Sequence, residues 1–335
     1  MNKMERVRAA LAGEPVDRVP YSVWTHFPQL DLDPERLARA TVGFFERFDL
    51  DFVKNMPNGM YTIEDWDCGC DFSEIPSGGV AKVTKLAVNE PADWERLEEV
   101  DIETGALGRE LRSLEILLAE MKGRAPVLAT SFSPLTTAQK LSGPHLTAHL
   151  KSHPKLVEKG LETITAVSEK FAARAIELGC AGLYFASQMS QKGRMDEAGY
   201  TEFGIPYDLR VLEAAGSEAW FNVMHIHGND IMFDLLKSYP VQGISWHVWE
   251  TAPSVSEFVQ ANTGKAIVGG LRRYKITEGA LSEIAEDVER TRAITKGRRL
   301  LLAPGCVIRA PYDTATLSFL RETVTKTREE EPARA

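Results

Sequence analysis

Apolar residues along this chain gather into eight short runs, each followed by a longer stretch in which they recur every three or four positions. The runs cover residues 19–27, 51–56, 126–132, 181–187, 219–227, 243–248, 266–271 and 299–306, and they predict strands. Helical period marks 33–47, 107–121, 155–178, 207–215, 231–238, 254–261, 279–294 and 314–327. Asp33-Pro34-Glu35 and Asp230 suit helix starts, because acidic side chains are favoured at the positive end of the helix. Eight strand–helix alternations predict an α/β fold, a (β/α)8 TIM barrel in a single domain over residues 1–335. A doubly wound open sheet is the competing arrangement, but no Gly-x-Gly-x-x-Gly follows a strand and no Walker loop is present. The rhythm breaks once, at residues 57–105 after the second strand. There Cys68-Gly69-Cys70 precedes Gly78-Gly79-Val80-Ala81-Lys82-Val83-Thr84, which predicts a hairpin within an insertion. The charged tail, 328–335, predicts a frayed end.

Composition narrows the classes of function. The chain has 335 residues, 44% hydrophobic and 26% charged, enough for a sizeable core. Thirty-nine basic against 48 acidic side chains leave a net charge of -9 with no basic stripe, which argues against nucleic acid as a partner. No stretch approaches the roughly 20 apolar residues of a membrane span. The first residues lack the apolar core of a secretory leader, so a cytoplasmic location is expected. Four cysteines, Cys68, Cys70, Cys180 and Cys306, are too few for a disulfide framework and fit a reducing compartment. Cys180, between Gly179 and Ala181, reads as a small core residue entering a strand.

Two strand ends carry the candidate chemistry. In Trp220-Phe221-Asn222-Val223-Met224-His225-Ile226-His227-Gly228 the imidazoles stand at i and i+2, on one face of a strand. Leu300-Leu301-Leu302-Ala303-Pro304-Gly305-Cys306 ends another run with a thiol. Barrel enzymes place their chemistry at the C-terminal strand ends, where side chains from several strands converge. Two nitrogens and a sulfur suit an open zinc site with its fourth position free, and sulfur disfavours magnesium or calcium. His225, His227 and Cys306 are therefore the expected metal ligands and catalytic centre.

Other strand-end residues are candidates for contacts with a small-molecule substrate: His26 beside Trp24, Asn55 and Tyr61 with Asn58, Gln188 with Ser187, and His247 between Trp246 and Trp249. The two tryptophans suggest a planar or apolar ligand. Arg272, with Arg273, follows the seventh strand, where barrels often bind anions, and Arg309 is similar. Cys68-Gly69-Cys70 competes for a metal but has no second pair nearby. His145, His149 and His153 recur at helical spacing without a carboxylate row, and solvent or a subunit partner is their expected surrounding.

Glu14-Pro15-Val16-Asp17-Arg18-Val19-Pro20, Ala266-Ile267-Val268-Gly269-Gly270-Leu271 and Leu302-Ala303-Pro304-Gly305-Cys306 resemble the uroporphyrinogen decarboxylase superfamily, over about residues 4–328. The resemblance implies a (β/α)8 barrel and one of two activities. True decarboxylases work without metal and carry an Arg-Gln-Ala-Gly-Arg segment after the first strand and an aspartate after the second. This chain has Thr25-His26-Phe27-Pro28-Gln29-Leu30 and Lys54-Asn55-Met56-Pro57-Asn58 at those places. The other branch comprises zinc-dependent, corrinoid-linked methyltransferases with a His-x-Cys pair and a distant Pro-Gly-Cys. His225, Gly228-Asn229 and Cys306 match that pattern; His227 stands where the second ligand is often cysteine, which removes one negative charge. The resemblance thus implies a zinc methyltransferase moving a methyl group between a small substrate or thiol and a corrinoid carrier, with a carboxy-lyase as the alternative. No Asp-x-His-x-x-Gly segment is present, so the corrinoid is expected on a separate protein. A homodimer is implied by the decarboxylase branch.

Overall fold

The computed structural model describes residues 1–74 and 81–325. Among the described residues nine strands follow in chain order: β1 (Val53–Lys54), β2 (Gly69–Asp71), β3 (Lys82–Lys85), β4 (Val127–Phe132), β5 (Gly182–Ser187), β6 (Val223–Ile226), β7 (Gly243–Trp246), β8 (Ala266–Leu271) and β9 (Leu300–Pro304). Seven form one sheet in the order β1-β4-β5-β6-β7-β8-β9, with every neighbouring pair parallel. Helices cover the outside, among them Pro34–Phe48, Gly105–Met121, Pro154–Glu177 and Leu281–Thr295. The strands are buried on both faces, which is why they read as nearly continuous apolar runs. Alternate residues divide them: Leu128, Tyr184, Val223, Val268 and Leu301 pack inside the curl, whereas Leu183, Met224, Ile244 and Ile267 face the helices.

The first expected strand departs from that regularity. Residues 20–25 lie between β9 and β1 but make only isolated bridges, Tyr21 to Leu302 and Thr25 to Ile308. Pro20 has no N–H to give. The N–H of Tyr21 donates to the Asp51 carboxylate at 2.9 Å, and the Ser22 hydroxyl to the Phe52 carbonyl at 2.7 Å. These side chains supplement a sparse ladder, in which the Ser22 N–H donates to the Leu302 carbonyl on one side and the Asp51 N–H to the Tyr21 carbonyl on the other, so the segment joins the two edges of the sheet.

Asp51 also explains the Asp17-Arg18 motif. Its buried carboxylate takes Arg6 at 2.8 Å and Arg18 at 2.5 Å, and Arg6 in turn binds Asp17 at 2.7 Å. This ion network ties the N-terminal helix, Lys3–Ala12, to the N-terminal ends of the strands, the side of the curled sheet opposite the candidate ligands, where barrel-like folds keep stability rather than chemistry.

Within 57–105, β2 and β3 pair antiparallel. Their connection, 75–80, lies outside the described residues, as does the tail 328–335. The three spaced histidines do not share a helix. His145 ends a short turn, Gly143–His145, His149 lies in the helix Leu146–Ser152 and His153 stands at the junction with the helix Pro154–Glu177. The rings of His145 and His149 stack, and His149 is buried, accepting a hydrogen bond from Trp94 Nε1 at 3.1 Å. Among the described residues, no helix is long and apolar enough to cross a membrane.

Candidate metal centre and its cavity

His225 lies in β6, His227 directly after it, His247 directly after β7, and Cys306 two residues beyond β9. These are all C-terminal strand ends. One ligand atom from each of the four lies within 4.8 Å of the others. Strand alternation accounts for three: Val223 faces inward, so His225 does too, and Ser245 opposite it puts His247 on the same side. Cys306 arrives through a glycine. A Cβ on Gly305 would stand 2.7 Å from the Trp246 carbonyl oxygen and 2.9 Å from the His247 Cα, so only glycine lets this turn lie against the end of β7.

Three donors were expected and four converge. His247, expected to face substrate between aromatic walls, joins the ligand cluster, its ring centroid 4.8 Å from that of His227. The tryptophans belong elsewhere: Trp246 stacks on Phe258 in the outer layer, and Trp249 Nε1 donates to the Gly270 carbonyl.

The set fits a zinc ion. Cys306 Sγ is 3.7 Å from His227 Nδ1. Zinc bonds of about 2.3 Å to sulfur and about 2.0 Å to nitrogen, at a tetrahedral angle, put two such ligands ~3.5 Å apart. Burial lowers the imidazoles' proton affinity, to about 4 at His227 and about 3 at His247, with Arg273 adding to both and His227 to His247. His225 falls well below its ordinary value for the same reason, helped by its two histidine neighbours. All three are therefore neutral donors near pH 7.

His225 Nδ1 is 3.2 Å from the Ser245 hydroxyl, which is 3.0 Å from that of Tyr184. With Nδ1 engaged, Nε2 is left to bind metal. Removing such a partner typically costs 10–100-fold in metal affinity. Ser245→Ala is accordingly expected to weaken zinc binding by about 10-fold or more in a chelator competition, with the circular dichroism spectrum unchanged.

A cavity of about 380 Å³ opens beside His227 and His247, lined also by Gln139, Gln188, Gln191, Arg194, Glu250 and Arg273. Gln188 thus stands at the cavity. Arg272 does not: its guanidinium is held by Asp287 at 2.9 Å on the helix behind, and Arg273, one residue on, lines the cavity instead. Tyr61 is a packing residue, its ring against Phe132 and Phe171 and its hydroxyl donating to the Thr130 carbonyl at 2.7 Å. Asn55 is buried at the end of β1 with Oδ1 unpartnered, and it does not line the cavity. His26 lies outside the donor cluster, pushed down to about 4 by burial and by Lys54. Cys68 and Cys70 are free thiols and belong to no metal-capable group among the described residues.

Sequence reasoning missed Lys54, Glu250, Arg194 and Ser245 as parts of this region. Only the inward position of Lys54, between Phe52 and Met56 in a strand, was a usable signal.

The family model described as Uroporphyrinogen decarboxylase (URO-D) matches residues 2–327. The chain is 22% identical over 336 residues to the methylcobamide:CoM methyltransferase MtbA of Methanosarcina acetivorans, covering 95% of this chain and 96% of that one. It is also 22% identical to the protein of the same name from Methanosarcina mazei, over 67% of this chain and 70% of the relative. Among solved structures, a methyltransferase from Methanosarcina mazei superposes with a TM-score of 0.84 at 19% identity, covering 96% and 98% of the two chains. A B12-independent methionine synthase from Shewanella sp. W3-18-1 superposes at 0.56 and 14% identity, covering 92% of each.

Proposed function

We propose, for a chain that belongs to the uroporphyrinogen decarboxylase family, that it is a zinc-dependent methyltransferase moving a methyl group between a corrinoid carrier on a separate protein and a small thiol or related substrate. The observation that carries this reading is the convergence of His225, His227, His247 and Cys306 beside a polar cavity at the strand ends. Methylcobamide:CoM methyltransferases among the relatives support it. After residue 24 the chain has Thr25-His26-Phe27-Pro28-Gln29-Leu30, without the arginines of the decarboxylase resemblance. In this reading the barrel is an eight-stranded one in which residues 20–25 serve as the first strand.

A zinc ion held by these residues, with one donor yielding its place or a fifth position taken, would lower the pKa of an acceptor thiol bound to it and supply it as a thiolate. The chain's own residues then do the rest. The cavity volume admits a small molecule. Arg273 and Arg194 line it and can pair with an anionic group of the substrate, and Gln188 and Gln191 offer neutral hydrogen bonds. The methyl group leaves the corrinoid with the Co–C electron pair staying on cobalt, an S–C bond forms, and the thiol proton passes to solvent.

The test is zinc analysis of the purified protein, followed by methylcobalamin with a panel of thiols, read from the cobalamin absorbance. About one zinc per chain and a thiol-dependent spectral change are expected. Full zinc occupancy with no change for any acceptor, or loss of carboxylate from a substrate without metal, would overturn the assignment.

A further inference from the structure

Lys54 occupies a position that strand alternation assigns to an apolar residue. Phe52 and Met56 flank it on the same inward face of β1, and the lysine is buried with them. Its Nζ has no oxygen partner among the described residues: it lies 2.7 Å from Met56 Sδ, 4.6 Å from the ring centroid of Tyr184 and 5.9 Å from that of Trp24. Tyr184 is the residue whose hydroxyl reaches His225 through Ser245. The ionisable groups that feel Lys54 are Cys306, His225 and His26. Burial moves its pKa down to about 7, and Cys306 works in the opposite direction.

A buried cation with no oxygen or anionic partner is costly and persists where function requires it. Charge counting shows what it awaits. A divalent ion with three neutral imidazoles and one thiolate carries a net charge of +1, and a protonated Lys54 adds another. Glu250, the carboxylate at the cavity, does not reverse this, since it faces Arg273 at 3.8 Å. We propose that Lys54 is a specificity-determining residue, whose ammonium makes the four-donor centre take an anionic ligand, the thiolate of an acceptor, in preference to a neutral one. The inference rests on the metal reading above.

The test uses protein loaded with cobalt(II) in place of zinc and titrated with azide as the anion and imidazole as the neutral probe, each followed in the visible spectrum. Lys54→Met is expected to weaken azide binding by about tenfold or more while changing imidazole binding by less than about twofold. The melting temperature should rise, because an unpaired charge has been replaced by an apolar side chain among apolar neighbours. Lys54→Gln, neutral but polar, should follow Lys54→Met in azide affinity; should Lys54→Met fail to fold, it decides the matter alone. Unchanged azide affinity in the neutral variant, or equal losses for both probes, overturns the role of Lys54 and leaves the metal reading standing. A wild-type protein that takes up no cobalt or zinc overturns both.

Discussion

The double variant His227→Ala with Cys306→Ala is expected to purify without zinc and to transfer methyl groups at least about a thousandfold more slowly than the wild type, a loss of ~4 kcal/mol in barrier lowering. It leaves two donors, His225 and His247, and zinc sites in proteins use three or four. The single variant Cys306→Ala makes the contrast informative. Three imidazoles remain, a set that holds catalytic zinc elsewhere. Cys306→Ala should therefore keep its metal at reduced affinity, whereas a three-donor centre of His225, His227 and Cys306 alone would lose it. Metal analysis of both variants, with circular dichroism to show the fold intact, separates the two arrangements. A double variant with full zinc and wild-type turnover would place the chemistry elsewhere in the molecule.

Between about pH 4.5 and 6 the three imidazoles are expected to add almost nothing to the pH dependence of zinc affinity, where three ordinary imidazoles would add roughly two to three decades per pH unit. Protons and metal compete for the same lone pairs, so affinity falls as pH falls through each donor's pKa. Burial has moved that competition to about 4 for His227, about 3 for His247 and well below the ordinary value for His225. Across most of this window the three imidazoles have no proton to lose. At pH 5, ordinary imidazoles would together cost about four decades of affinity relative to neutrality; this centre should hold its metal. Competition with a chromophoric chelator at stepped pH measures the slope, and a slope of about three or more would mean that the imidazoles are solvated rather than enclosed.

Much of the architecture was legible because strands buried on both faces and amphipathic helices leave different apolar periods. The seven strands of the parallel sheet fall within seven of the eight expected runs, and β8 coincides with 266–271. The first run, 19–27, was readable as an extended segment, but not that Asp51 and Ser22 side chains supplement its sparse ladder bonds. Short helices such as Glu197–Phe203 and Arg273–Glu278 escaped, since six or seven residues hold too few turns to show a period.

Within the site, His225, His227 and Cys306 were visible as donors because each ends an apolar run. His247 was visible too, but its tryptophan neighbours suggested a different surrounding. Arg272 and Arg273 show the limit most sharply: adjacent residues just past a strand point to different places, and the choice depends on Asp287 holding one of them from a distant helix.

The chain's own order of residues thus determined which segments are strands and helices, and which strand ends carry nitrogen and sulfur, because local periodicity and residue chemistry are properties of neighbours in sequence. Tertiary structure alone decided that a fourth donor joins the other three, that Arg273 rather than Arg272 meets the cavity, and that Lys54 lies near the donor cluster with no oxygen partner among the described residues. Each of these depends on contacts between residues tens to hundreds of positions apart, which only the curling of the sheet brings together.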